Sequence, residues 1–254
     1  MDIAITREVS PAIARCELTH LDRVPIDPAR AVAQHDDYCR RLAASGLEVV
    51  RLPADPECPD CCFVEDVAVV VDEVAVITMP GAASRRAETP PVAGALERHR
   101  PLVRMQLPAT LDGGDVLQLD RRLFVGRTLR TNAEGIDALR QALAPFGYSV
   151  APVEVTGCLH LKSAVTALDE GTLLANREWF DASALRSFEV MDVDPSEPGA
   201  ANVLRIREAV WAHPGYPRTL ERLERLGHRI VPVDISEFIK AEAALTCKSL
   251  IFRR

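Results

Sequence analysis

The sequence predicts an α/β fold in which one supersecondary unit recurs about five times at ~50 residues per repeat. Two observations carry this reading. Five apolar runs of similar build read as β-strands: Leu47–Pro53, Leu102–Pro108, Tyr148–Val153, Phe188–Val193 and His228–Val233, whose starts lie 55, 46, 40 and 40 residues apart. Helical patterns precede these runs, and pairs of short β-rich segments lie between them. No Gly/Ser-rich linker or block of charge interrupts the 254 residues, so residues 1–254 are expected to form one closed or curved domain.

The first helix is expected over Pro28–Ala44. Asp27-Pro28 is a start signal, and Ala31, Ala33, Tyr38 and Leu42 supply apolar positions. Thr131–Leu143 offers Thr131 or Asn132 as N-cap, followed by Ile136, Leu139 and Leu143 at helical spacing. Tyr216–Leu226 repeats the theme, with Pro217 in the first turn and Gly227 as the stop. Val67–Val71 with Val74–Thr78, and Val116–Leu119 with Leu123–Gly126, read as hairpins across short polar turns.

Composition excludes several classes of function. Lys and Arg number 30 against 37 Asp and Glu, a formal charge of −7, and no basic stripe is present to bind nucleic acid. A small cationic substrate suits this balance better. No run approaches the ~18 apolar residues of a membrane span, and Met1–Arg7 lacks the basic and apolar segments of an export signal. With an odd number of cysteines, seven, the chain is expected to be cytoplasmic with reduced thiols. Cys58 and Cys61 have the spacing of a zinc-ligand pair, but no second pair is evident, so buried thiols are expected and no metal.

Five segments could carry chemistry. Leu111-Asp112-Gly113-Gly114-Asp115 sets two carboxylates around two glycines, where the backbone can approach a ligand closely; the plainer reading is an exposed turn. Phe63-Val64-Glu65-Asp66-Val67 embeds adjacent acids among apolar residues, so at least one carboxylate needs a buried partner, and a guanidinium is one that binds bidentately. His160, between Leu159 and Leu161, is by itself more often a core histidine, and Cys247, between Thr246 and Lys248, an ordinary thiol. Ser84-Arg85-Arg86 and Leu129-Arg130-Thr131-Asn132 read, alone, as surface charge.

Taken in order, Phe63–Asp66, Pro80–Arg86, Leu111–Asp115, Arg130–Asn132, Leu159–Lys162, Ala201-Asn202, Tyr216–Arg218 and Thr246-Cys247 resemble the motifs of the dimethylarginine dimethylaminohydrolases, within the guanidine-modifying superfamily that includes arginine deiminases. The resemblance spans almost the whole chain. It implies a five-bladed pseudosymmetric α/β propeller of ββαβ units around a central substrate channel, agreeing with the five recurring strands. It implies hydrolysis of Nω-methylated L-arginine to L-citrulline, with Cys247 as nucleophile, His160 as acid–base partner and Asp112 as the third catalytic residue.

The same resemblance implies that Asp66 and Asp112 bind guanidinium nitrogens, supported by Glu65. Arg85 and Arg130 would hold the α-carboxylate, for which a planar guanidinium fork suits better than lysine. Asp60, with the backbone near Ala241, would hold the α-amino group. Leu18 would sit on a mobile loop over the substrate. One departure is Ala241-Glu242-Ala243-Ala244, where the family usually has a Gly-containing stretch. No cofactor is implied, and the chain is expected to act as a monomer or homodimer on a small molecule. The alternatives are an arginine deiminase, usually a longer chain, and a non-enzymatic propeller that binds ribosomes, which the joint presence of Cys247, His160 and Asp112 disfavours.

Overall fold

In the computed structural model, which describes residues 2–254, fifteen strands assort into five three-stranded sheets. Each sheet is built alike: its middle strand runs antiparallel to the first and parallel to the third. A two-residue turn can make the antiparallel step, whereas the parallel step needs a crossover of a dozen or more residues, usually a helix. This is the ββαβ unit of an α/β propeller.

Blade one holds β1 (Asp2–Arg7), α1 (Pro28–Ala44) and β2 (Glu48–Leu52). Blade two holds β3 (Ala68–Val70), β4 (Ala75–Ile77), α2 (Thr89–Leu96) and β5 (Leu102–Arg104). Blade three holds β6 (Val116–Leu119), β7 (Arg122–Arg127), α3 (Ala133–Leu143) and β8 (Ser149–Glu154). The short α4 (Leu161–Ala164) leads into blade four, β9 (Val165–Ala167), β10 (Thr172–Ala175) and β11 (Glu189–Asp192). Blade five holds β12 (Leu204–Ile206), β13 (Ala209–Ala212), α5 (Pro217–Arg225) and β14 (Arg229–Pro232). After α6 (Ser236–Ile239), β15 (Leu250–Arg253) returns to blade one and pairs with β1, Ile3 opposite Phe252 and Ala4 opposite Ile251. The ring is closed by joining the two ends of the chain.

The five expected runs are the third strands of the five blades, and both expected hairpins form. Asp27 caps α1 by accepting from the Ala29 and Arg30 N–H groups, and Asn132 caps α3 by accepting from Gly135 N. Blade four departs from the expectation of a helix before each strand run. Only residues 176–188 connect β10 to β11, and they hold a 3₁₀ turn at Ala182–Leu185 capped by Asp181. Trp179 and Phe180 turn inward on that connection, and Phe180 bridges to Val155, which leaves no length for a helix.

The core is divided into five wedges between blades, and the period-two alternation of each middle strand explains why. In β1, Ile3 and Ile5 face Ala75, Ile77 and Leu96 of blade two, while Ala4 faces Tyr38, Trp211 and Phe238. In β7, Leu123 and Val125 join the wedge containing Val76 and Leu139, while Phe124 joins that of Leu173. In β13, Val210 and Ala212 pack with Leu174, and Trp211 returns to the first wedge. Each sheet is thus buried on both faces, so its middle strand reads as a near-continuous apolar run.

Candidate active site

Five of the segments singled out from sequence fall at one structural position repeated around the ring, the turn just before the first strand of each blade, while Arg85 and Arg130 follow the second strands of blades two and three. Val64–Val67 precedes β3 and carries Glu65 and Asp66. Gly113–Asp115 precedes β6 and follows Asp112; α4 precedes β9 and follows His160. Pro198–Ala201 leads to Asn202 and β12, and Thr246–Lys248 carries Cys247 before β15. Pseudosymmetry therefore gathers distant segments at the axis: Glu65 accepts from Thr246 Oγ1 at 2.8 Å across 181 residues.

Cys247 and His160 line one small enclosed chamber of about 20 Å³, together with Asp60, Asp66, Arg85 and Arg130. Ala241 and Phe63 also contribute to its wall. The Ala244 N–H points at Cys247 Sγ from 3.4 Å. Burial, then Glu65 and Asp66, push the Cys247 thiol up to about 12, so it rests protonated. Burial opposes a charged imidazole at His160, but Asp66, Asp115 and Asp112 outweigh it and raise His160 to about 9. At neutral pH the site therefore holds a thiol beside an imidazolium.

His160 is gripped through both nitrogens. Nε2 lies 3.1 Å from Asp112 Oδ2, and Nδ1 lies 3.9 Å from Asp66 Oδ1. Asp66 accepts in turn from Gly114 N at 3.0 Å and from Arg85 Nη1 at 2.5 Å. Asp112 accepts from Gly81 N at 2.9 Å. These interactions explain the paired glycines. A Cβ on Gly114 would stand 2.6 Å from His160 Nδ1 and 2.7 Å from Asp66 Oδ1, and one on Gly113 would stand 2.0 Å from the Glu65 carbonyl oxygen. Among the described residues, Asp66, Asp112 and His160 are the one group of metal-type donors close together, within 4.8 Å. Each carboxylate is already engaged by a backbone N–H, which fits a histidine-orienting cluster better than a metal site.

Several expected roles need correction. Asp112 is fully buried, reaches His160 Nε2 and is not among the residues that line the chamber, where a guanidinium contact was expected. Glu65 faces a separate cavity of about 300 Å³, where it pairs with Lys162 Nζ and Thr246. Arg85 lines the chamber, but its guanidinium is spent on Asp66, Glu88 and the Phe63 carbonyl. Arg130 is freer: Nη2 donates to Thr19 Oγ1 at 3.1 Å, and Nη1 lies 3.8 Å from Asp112. Leu18 packs against the core wedge of Tyr38 and Phe63 instead of facing the chamber, while its neighbour Glu17 does face it. Asp60 lines the chamber, with Oδ2 accepting from Glu17 N at 3.1 Å.

Sequence reasoning passed over three residues that matter here. Asp115 accepts from Thr128 Oγ1, Thr131 Oγ1 and Leu161 N, tying blade three to the segment that carries His160; the second acid of the Asp-Gly-Gly-Asp motif was its signal. Lys248 is fully buried beside the nucleophile, 4.0 Å from the Phe238 ring centroid, and burial lowers it to about 7. Glu242 lines the chamber within the stretch where glycine was expected. Cys58, Cys61 and Cys62 are buried thiols.

Five three-stranded blades, four of them ββαβ, that bring a cysteine, a histidine and its carboxylates to their common axis define an enzyme of the guanidine-modifying, or amidinotransferase, superfamily. A family model described as N,N dimethylarginine dimethylhydrolase, eukaryotic, matches residues 22–169. The N(G),N(G)-dimethylarginine dimethylaminohydrolase of Streptomyces coelicolor is 43% identical over 251 residues, 98% of this chain and 96% of its own length. The chain belongs to the dimethylarginine dimethylaminohydrolase family. The Pseudomonas aeruginosa protein of that name is 36% identical over 228 residues, 89% of this chain and 90% of its own. The solved structure of a cysteine-to-serine mutant of the Pseudomonas aeruginosa enzyme, complexed with citrulline, superposes with a TM-score of 0.93 at 33% identity, covering 98% of each chain.

Proposed function

We propose that this protein hydrolyses Nω-methylated L-arginine to L-citrulline and methylamine or dimethylamine through a covalent intermediate on Cys247. The observation that carries the reading is the chamber itself, which Cys247 and His160 line together with Asp60, Asp66 and Arg130, the thiol resting protonated and the histidine charged. Such a pair suits a cationic substrate. A cation about 4 Å from the sulfur is worth roughly 4 kcal/mol at an effective dielectric of 20, or about 3 pKa units. The substrate's own charge favours the thiolate, and the thiol proton passes to solvent because His160 already holds one.

Sγ then attacks the guanidinium carbon. His160 gives its proton to the substituted nitrogen, the C–N bond breaks and the amine leaves, with a thiouronium on Cys247. His160, now neutral, takes a proton from water as the oxygen attacks the same carbon. The C–S bond breaks, releasing citrulline and restoring the thiol. Asp112 and Asp66 hold the imidazole through both steps.

In this reading Arg130 takes the α-carboxylate, with Arg85 contributing mainly by fixing Asp66. Asp60 and the backbone at Ala241 take the α-amino group, and Leu18 serves through the loop it anchors. Phe63 and Leu159 give the chamber an apolar wall for the methyl groups. Every group needed comes from one chain, so residues 1–254 act as a single catalytic unit, and either a monomer or a homodimer is competent. All seven cysteines are unpaired, and among the described residues no helix is long and apolar enough to cross a membrane, which supports a cytoplasmic site of action.

Acid quenching during turnover of asymmetric dimethylarginine, followed by peptide mass mapping, tests this. A thiouronium-sized increment on the peptide containing Cys247 is expected, with neither adduct nor citrulline from Cys247→Ser. Sustained turnover by Cys247→Ser, or an adduct on another cysteine, would overturn it.

A further inference from the structure

The segment Glu17–Leu21 runs from the chamber, which Glu17 lines, to the neighbouring cavity, which His20 and Leu21 line, and is tied down on several sides. Glu17 N donates to Asp60, and Ser84 Oγ donates to Glu17 Oε1 at 2.5 Å. Thr19 Oγ1 accepts from Arg130. The backbone N–H groups of Thr19, His20 and Leu21 all converge on the carboxylate of Glu242. Successive N–H groups turned to one point make an anion-binding concavity, filled here by the chain's own acid.

Glu242 sits at φ +54°, in the left-handed region that disfavours a side chain. A strained non-glycine residue that persists beside a functional chamber points to a task for its side chain. The anchors also differ in kind. Asp60 and Arg130 are the groups proposed to receive the substrate's α-amino and α-carboxylate groups, so binding would draw them away from Glu17 and Thr19. Glu242 is called on by no part of the substrate.

The chamber's volume of about 20 Å³ has room for about one water, far less than a methylarginine needs, so substrate enters only when the strap lifts. Beside it lies a cavity of about 490 Å³, lined by Trp179, His213 and Tyr216, with Leu159, Glu242 and Ala243 as the shared wall. We propose that Glu242 is the latch of this strap, a positioning residue that holds residues 17–21 over bound substrate and opens the chamber toward the larger cavity on release. The inference rests on the chamber being the substrate site.

Two variants test it. Glu242→Gly removes the carboxylate while suiting the backbone angle, and Glu242→Gln keeps an acceptor but loses the charge. The readouts are the rate of Cys247 alkylation by iodoacetamide in substrate-free enzyme from pH 6 to 10, followed on the Cys247 peptide, and kcat and KM for asymmetric dimethylarginine. For Glu242→Gly, alkylation should quicken roughly tenfold at every pH, and KM should rise roughly tenfold with a smaller change in kcat. Glu242→Gln should fall between it and the parent.

Unchanged alkylation and KM in both variants would overturn the latch. So would equal quickening of alkylation in Glu242→Gln and Glu242→Gly with KM unchanged in both, which would mean that Glu242 acts through its charge on the thiol. If thermal melting shows Glu242→Gly unfolded, Glu242→Gln decides alone. If the parent enzyme fails to turn over methylarginines, the substrate reading fails, while the alkylation rates still judge the latch.

Discussion

His160 owes its chemical readiness to crowding. Burial alone would strip its proton, yet Asp66, Asp115 and Asp112 hold it at about 9, so the acid needed for amine departure is already charged at neutral pH. The sign has two consequences. Stability contributed by charged His160 is full below its ordinary value near 6.5 and is lost as pH rises through about 9. For catalysis, kcat/KM should climb along a limb that ends near pH 9, because the thiol must first give its proton to solvent and above about 9 that gain is cancelled as His160 loses its own. Asp112→Asn removes a stabilising charge from the imidazolium, so the end of that limb should move to lower pH and kcat should fall ~10²-fold or more. A limb that stays in place in Asp112→Asn would show that another group sets it.

At this scale Cys247, His160 and Asp112 were legible because their motifs keep fixed order and spacing. The direction each side chain faces was not. Glu65 and Asp66 are adjacent in sequence, yet one faces the cavity with Lys162 and the other faces His160.

At the scale of elements, the turn before each blade's first strand is the unit of function. Gly114 is the most demanding position in these turns. Gly114→Ala drives a methyl into the space of His160 and Asp66, at 2.6 and 2.7 Å. The expected outcome is a stability loss of about 1–3 kcal/mol, with His160 displaced. At about 2–4 °C of melting temperature per kcal/mol, the variant should remain folded at 25 °C. Activity there should nonetheless fall ~10²-fold or more, since a small misplacement of a catalytic group costs that much. Melting curves and kcat on the same sample separate the two effects. Near-normal activity in a folded Gly114→Ala would show that the imidazole does not need its present place.

Helix limits were readable where a local signal existed. Asp27-Pro28 marked the start of α1, and Asn132 accepts from Gly135 N at the start of α3. The cap of α5 was not readable, because Glu197 supplies it from 20 residues upstream, accepting from Arg218 and Thr219 N–H. The strap was still less so. Its amides find Glu242 across more than 220 residues, a pairing that exists only once the ring closes.

On the scale of the whole molecule, each sheet divides its side chains between two wedges, and β15 pairs with β1 to shut the ring. The five-fold recurrence of strands made the architecture legible, since every third strand repeats one pattern. The shape of the axial chamber was not legible, because it is set by how five turns meet. That shape has to distinguish a methylated guanidinium from a plain one of equal charge. Arginine offers more N–H donors, whereas a methylated nitrogen asks for an apolar wall, which Phe63 and Leu159 supply. One or two buried methyl groups are worth ~1–3 kcal/mol, a 10–200-fold preference. The most direct test is citrulline release measured in parallel from asymmetric dimethylarginine, monomethylarginine and arginine. At least tenfold higher kcat/KM is expected for a methylated substrate than for arginine; arginine as the best substrate, with ammonia released, would contradict it.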